Sequence, residues 1–130
     1  MNDINEVKAF FEKDRFATKN GMYIVEIGDK YAKCALKITD DHKDALGALM
    51  GGVSYTLADF AFAVASNWKE QGTVSLNTNM AYLSPVKGEM LFAEARMQKD
   101  GRTTCYYNID IYDELGTKVA NAVTTGFHCK

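Results

Sequence analysis

Asp59 is the one charged side chain between Asp44 and Lys69. It stands in the middle of the run Val53 to Ala65, which is apolar on every side of a helical wheel. A charge in such surroundings is costly unless it is paired, metal-bound, hydrated at a site or protonated. A carboxylate held there can take a proton or attack an electrophile. The run opens on Gly51-Gly52, a pair that admits close approach of a ligand or of other backbone and leaves first-turn N–H groups aimed at whatever lies beyond. The residues alone leave a second reading of Asp59 open, a core carboxylate bonded to a hydroxyl such as that of Thr56. Cys34, Cys105 and Cys129 make no CxxC pair, and His42 and His128, the only histidines, have neither HxH nor HExxH spacing. Neither a thiol nucleophile nor a metal site is expected from these spacings.

A helix apolar all round must be buried all round, so this stretch is expected at the centre of the fold. Before it, Asp3 and Glu6 mark the start of a first helix with an apolar stripe of Ile4, Val7, Phe10 and Phe11 running toward Lys13. Residues 22–27 and 31–38 read as a hairpin turning at Gly28-Asp29-Lys30, and residues 39–44 as an acidic loop. Beyond Gln71-Gly72 the period changes to two. Val74, Leu76, Thr78, Met80 and Tyr82 share one face of a strand that ends at Ser84-Pro85; strands around Leu91 to Met97, Cys105 to Ile111 and Val119 to Phe127 follow. Short turns predict that these last four strands are antiparallel neighbours. The expected class is α+β: a curved antiparallel sheet of about six strands wrapped around one long helix, with a helix at the N-terminus.

The 130 residues suit one domain spanning 1–130. Hydrophobic residues at 47%, charged residues at 25% and a single proline describe an ordinary globular chain rather than a disordered one. A formal net charge of -2 supplies no basic footprint for nucleic acid. An acidic N-terminus, no apolar run of about 20 residues and an odd number of scattered cysteines predict a soluble cytoplasmic protein with reduced thiols and no membrane partner.

The order of elements, with Gly-Ala-Leu-Met-Gly-Gly and Leu-Ala-Asp-Phe-Ala-Phe-Ala at its centre and Leu-Ser-Pro closing the next strand, resembles the hotdog-fold acyl-CoA thioesterases of the phenylacetic-acid-pathway group over roughly residues 15–128. That group typically carries Asn, then six residues later His-Gly-Gly, then Leu-Ala-Asp. Here Asp44 stands at the Asn position and Met50 at the His position, while Gly51, Gly52 and Asp59 match the pattern.

The resemblance implies hydrolysis of acyl-CoA to free acid and CoA. Asp59 would be general base or nucleophile, Ser75 would hold the attacking water, and the Gly51 N–H would be the oxyanion donor. Asp44, if it enters the site, would form a carboxylate pair with Asp59, and Met50 would pack against the acyl group. Asp59 lies about seven residues into the helix, on the order of 10 Å from its start. The family brings the two groups together by pairing subunits, so a homodimer or a dimer of dimers with a shared site is expected. The coenzyme A arm would run past Gly52, Tyr82, Leu83, Ser84 and Pro85, with Lys87, Lys99, Arg102 and Thr103 offering charge or hydroxyl groups to its phosphates. No cofactor is expected, since CoA is part of the substrate. A catalytically silent hotdog protein that binds acyl-CoA or another amphipathic ligand is the alternative. A hotdog dehydratase is disfavoured because no His lies between Ala45 and Trp68.

Overall fold

The computed structural model describes residues 1–129. Helix α1 (Ile4–Phe11) begins where the Asp3 carboxylate accepts the Glu6 N–H at 3.0 Å, and buries Val7 and Phe11. A short second helix, α2 (Arg15–Lys19), follows where the sequence suggested none. Strands β1 (Tyr23–Gly28) and β2 (Tyr31–Lys37) form the expected hairpin, with Lys30 at φ 51 in its turn. Helix α3 (Gly51–Asn67) is followed by β3 (Thr73–Tyr82), β4 (Met90–Asp100), β5 (Thr104–Asp113) and β6 (Lys118–His128).

All six strands form one antiparallel sheet in the order β1-β2-β4-β5-β6-β3. This corrects one expectation: β3 does not neighbour β4 but runs at the far edge beside β6. The link from Leu83 to Glu89 is too long for a tight hairpin and contains Pro85 and Gly88, so it spans the sheet instead. A bulge between Ser75 and Asn77 produces a second correction. The bulge reverses the alternation at Leu76, so that Val74 turns outward beside Phe127 while Thr78, Met80 and Tyr82 keep the helix side.

The core lies between α3 and the sheet. Leu57, Ala61, Phe62 and Val64 meet Leu36, Ile109, Ile111 and the small residues Ala93, Ala95 and Ala122, which let the helix approach the strands. Phe62 and Tyr107 pack edge to face at 5.2 Å. Burying each large aliphatic side chain contributes about 1.5–3 kcal/mol. At its C-terminal end α3 is tied by Asn67, whose amide bonds the Thr73 backbone, and by Trp68, whose Nε1 donates to the Gly28 carbonyl at 2.8 Å. At the other end the Tyr82 hydroxyl donates to the Gly51 carbonyl at 3.0 Å. Strand β3 therefore runs antiparallel to α3.

The central helix is not covered all round, contrary to the reading of its sequence. One sheet encloses only part of its circumference, and a stripe comprising Gly52, Tyr55 and Asp59 remains exposed within the chain. No helix among the described residues is long and apolar enough to cross a membrane.

Candidate active site

The start of α3 opens onto a cavity of about 670 Å³. Gly51 lines it together with Tyr82, Leu83, Ser84 and Pro85, so four of the residues proposed to receive the ligand do meet the glycine in space. The chain reaches this point through a braced loop. The Asp44 carboxylate accepts the N–H groups of Leu46 at 2.9 Å and Ala48 at 3.0 Å, and the Met50 N–H is bonded to the His42 carbonyl. His42 is itself buried, its Nδ1 accepting from the Thr39 N–H and its Nε2 donating to the Asn20 carbonyl at 2.7 Å. Met50 is the residue before the helix and contributes no side-chain cap. The N–H groups of Gly51 and Gly52 consequently have no acceptor among the described residues and stand free at the positive end of the helix. That is the equipment of an oxyanion or phosphate site.

Asp59 lies eight residues beyond Gly51, about 12 Å along the axis. It does not line the cavity. Its carboxyl finds no hydrogen-bond partner among the described residues, and the Thr56 hydroxyl donates instead to the Gly52 carbonyl at 2.8 Å, which removes the structural role left open above. Partial burial pushes the Asp59 pKa up, and the nearby carboxylate of Asp14 adds to the rise. Asp14 sits at the start of α2, which packs on α3, and burial raises its own pKa as well. The neighbouring acid in this chain is thus Asp14, whereas the Asp44 carboxylate is occupied in its own loop.

Ser75 occupies the β3 position paired with Gly126, on the helix side of the edge strand and toward the Asn67 end. Lys87 is exposed, and its backbone N–H, with that of Gly88, donates to the buried carboxylate of Asp113. Lys99 near the end of β4, with Arg102 and Thr103 in the β4–β5 turn, lies at the opposite end of the sheet from Gly51, because antiparallel strands this long carry alternate turns to opposite ends. One chain does not bring them to the cavity. The cation that does line it is Lys43, which the sequence reading passed over within the acidic loop.

Residues 46–120 match the family model described as the thioesterase superfamily. Human acyl-coenzyme A thioesterase 13 is 32% identical over 100 residues, covering 75% of this chain and 69% of its own length. The solved PaaI protein of the phenylacetic acid degradation operon of Escherichia coli superposes with a TM-score of 0.88 at 25% identity, over 94% of this chain and 89% of that one. A Streptococcus mutans protein determined with acetyl CoA bound superposes with a TM-score of 0.78 at 26% identity, over 83% and 88% of the two chains.

Proposed function

Because the chain belongs to the thioesterase superfamily and has its hotdog fold, we propose that it hydrolyses acyl-CoA thioesters to a free acid and CoA, at a site built from two subunits. The observation that carries this reading is the pairing, on one helix, of an uncompensated carboxylate with unsatisfied N–H donors that face a cavity.

In the proposed reaction Asp59 takes a proton from a water held by Ser75. The water oxygen adds to the thioester carbonyl, and the Gly51 N–H stabilises the resulting oxyanion. The carbon–sulfur bond then breaks, and the CoA thiolate leaves and is protonated. Direct attack by Asp59 to give a mixed anhydride, opened afterwards by water, uses the same groups. Asp59 and Gly51 of one chain are about 12 Å apart along the helix, so the carboxylate of one subunit would serve beside the glycine of the other.

Two features support the pairing. Strand β3 is ten residues long, lies at the sheet edge and carries no charge or proline to discourage another strand from joining it. The exposed stripe of α3 begins at Gly52, next to Gly51, whose carbonyl accepts the Tyr82 hydroxyl of β3, and Val74 and Leu76 at that edge are 48% and 61% exposed. We extend this to a dimer of dimers in the cytoplasm, where three free cysteines are at home. In the dimer, Lys99, Arg102 and Thr103 of one subunit are the groups available to the CoA bound at the glycine end of the other.

Met50 in place of a histidine, with the Asp44 carboxylate engaged in its own loop, favours a second reading in which the fold binds acyl-CoA without turning it over. Free thiol release from a panel of aryl-acetyl and aliphatic CoA esters separates the two. Turnover by the wild type that falls at least ~100-fold in Asp59→Asn is expected. Saturable binding with no turnover would replace the first reading by the second.

A further inference from the structure

A second cluster of chemistry-bearing side chains lies at the end of the sheet away from Gly51, where three strands bring together residues far apart in sequence. Asp100 closes β4, Cys105 lies opposite it on β5, and His128 closes β6. A His128 ring nitrogen, an Asp100 carboxylate oxygen and the Cys105 Sγ lie within 4.8 Å of one another, and His128 Nε2 is 2.7 Å from Asp100 Oδ1. The third side of the imidazole is also fixed: its Nδ1 is 2.9 Å from the Thr73 hydroxyl on β3. Gly126, paired with Cys105, makes room for the sulfur, since a Cβ there would lie 2.7 Å from Sγ. The cluster borders a cavity of about 530 Å³ that Asp100, His128, Thr73 and the exposed Cys129 line.

We propose that Asp100, Cys105 and His128 form a binding site for a borderline divalent transition metal of the Zn²⁺ class, with its fourth position open to this cavity. One thiolate, one imidazole and one carboxylate are a donor set that such an ion accepts and that Mg²⁺ or Ca²⁺ does not select. Tetrahedral geometry at zinc places sulfur and nitrogen ligands about 3.5 Å apart and nitrogen and oxygen ligands about 3.3 Å apart, so a separation at the 4.8 Å limit closes by about 1.3 Å while the 2.7 Å His128–Asp100 contact opens by about 0.6 Å. Binding releases the Cys105 thiol proton and moves the imidazole proton from Nε2 to Nδ1. There the Thr73 hydroxyl turns from donor to acceptor, the outer contact that orients a metal-bound histidine. Two anionic ligands neutralise the dication. Nearest-neighbour spacing in the sequence conceals the site, because its three ligands come from three strands.

The test is metal titration of the reduced, metal-stripped full chain with Zn²⁺ against a chromophoric chelator, and with Co²⁺ followed by its thiolate-to-metal charge-transfer absorption. One equivalent per chain is expected, with the absorption band lost in Cys105→Ala and the affinity reduced at least ~10-fold in His128→Gln and Asp100→Asn. Asp100 is a partly exposed residue at a strand end, so its variant reports even where the Cys105 change disturbs the core. Substoichiometric uptake, or binding abolished by Cys129→Ser and indifferent to the other three changes, would overturn the assignment.

Discussion

At the scale of single residues, Asp59 is held in a form that is useful to chemistry and unfavourable to the fold. Partial burial and the charge of Asp14 raise its pKa, so the folded chain binds the proton more tightly than the unfolded chain does. Stability is therefore lost as pH rises through the ordinary aspartate range and on to the raised folded value, and the ionised carboxylate is a net cost at neutral pH. Asp59→Asn is expected to melt no lower than the wild type while losing turnover, which thermal melting beside the thiol assay would show. In the proposed reaction Asp59 acts as a base and must be ionised, so the acid limb of kcat/KM should lie above the usual aspartate pKa. Removing the like charge in Asp14→Asn should move that limb to lower pH, leaving the part due to burial; an unmoved limb would deny the coupling. The sequence disclosed Asp59 because a lone charge in an apolar run stands out against its neighbours. It could not disclose Asp14, which reaches Asp59 only through the packing of α2 on α3.

At the scale of elements, α3 and the loops at its glycine end frame the cavity proposed to take substrate. A Cβ at Gly52 would meet nothing within 4 Å in its own chain. Within one subunit Gly52→Leu should therefore be tolerated and, by helix propensity, slightly stabilising. If a partner helix packs there, the same change should weaken the dimer, and sedimentation against concentration distinguishes the two. The link that carries Ser84 and Pro85 depends on Asp113, which is 1% exposed and accepts N–H groups from Lys87, Gly88, Leu115 and Thr117. Burial alone would raise its pKa, but these donors outweigh it and hold the carboxyl well below the usual range. Its contribution is present above the unfolded aspartate pKa and is lost as pH falls toward the lower folded value. Asp113→Ala should cost about 2–3 kcal/mol in denaturant unfolding and raise KM as the link loosens. Hydrophobic periodicity placed every strand, yet it missed the position of β3, because strand order depends on how a link crosses the sheet and not on either strand's own pattern. The bulge at Leu76 was hidden for a related reason: the residues on both sides of it keep alternating, and only pairing with β6 reveals the slip.

At the scale of the whole molecule, the uncovered stripe of α3 and the uncharged edge of β3 make the isolated chain incomplete both in its packing and in its proposed chemistry. The sequence read this helix as buried on every side, and the discrepancy is informative: its apolar composition suits a partner's surface as well as its own sheet. A shared site has a consequence that a site within one chain lacks. Asp59→Asn would remove the proposed base, and Gly51→Pro the proposed oxyanion N–H at the first helical position, where proline suits the backbone and the Tyr82 ring, 3.1 Å from a Cβ there, has to shift. Dimers that contain one chain of each kind keep one site with both groups intact. The decisive measurement is acyl-CoA hydrolysis by the two variants, each inactive alone, after co-expression in equal amounts. Recovery to about a quarter of wild-type activity is predicted, since about half of the dimers are mixed and each of those has one working site in two. No recovery, with mixed dimers shown to have formed, would contradict a site shared between Asp59 of one subunit and Gly51 of the other.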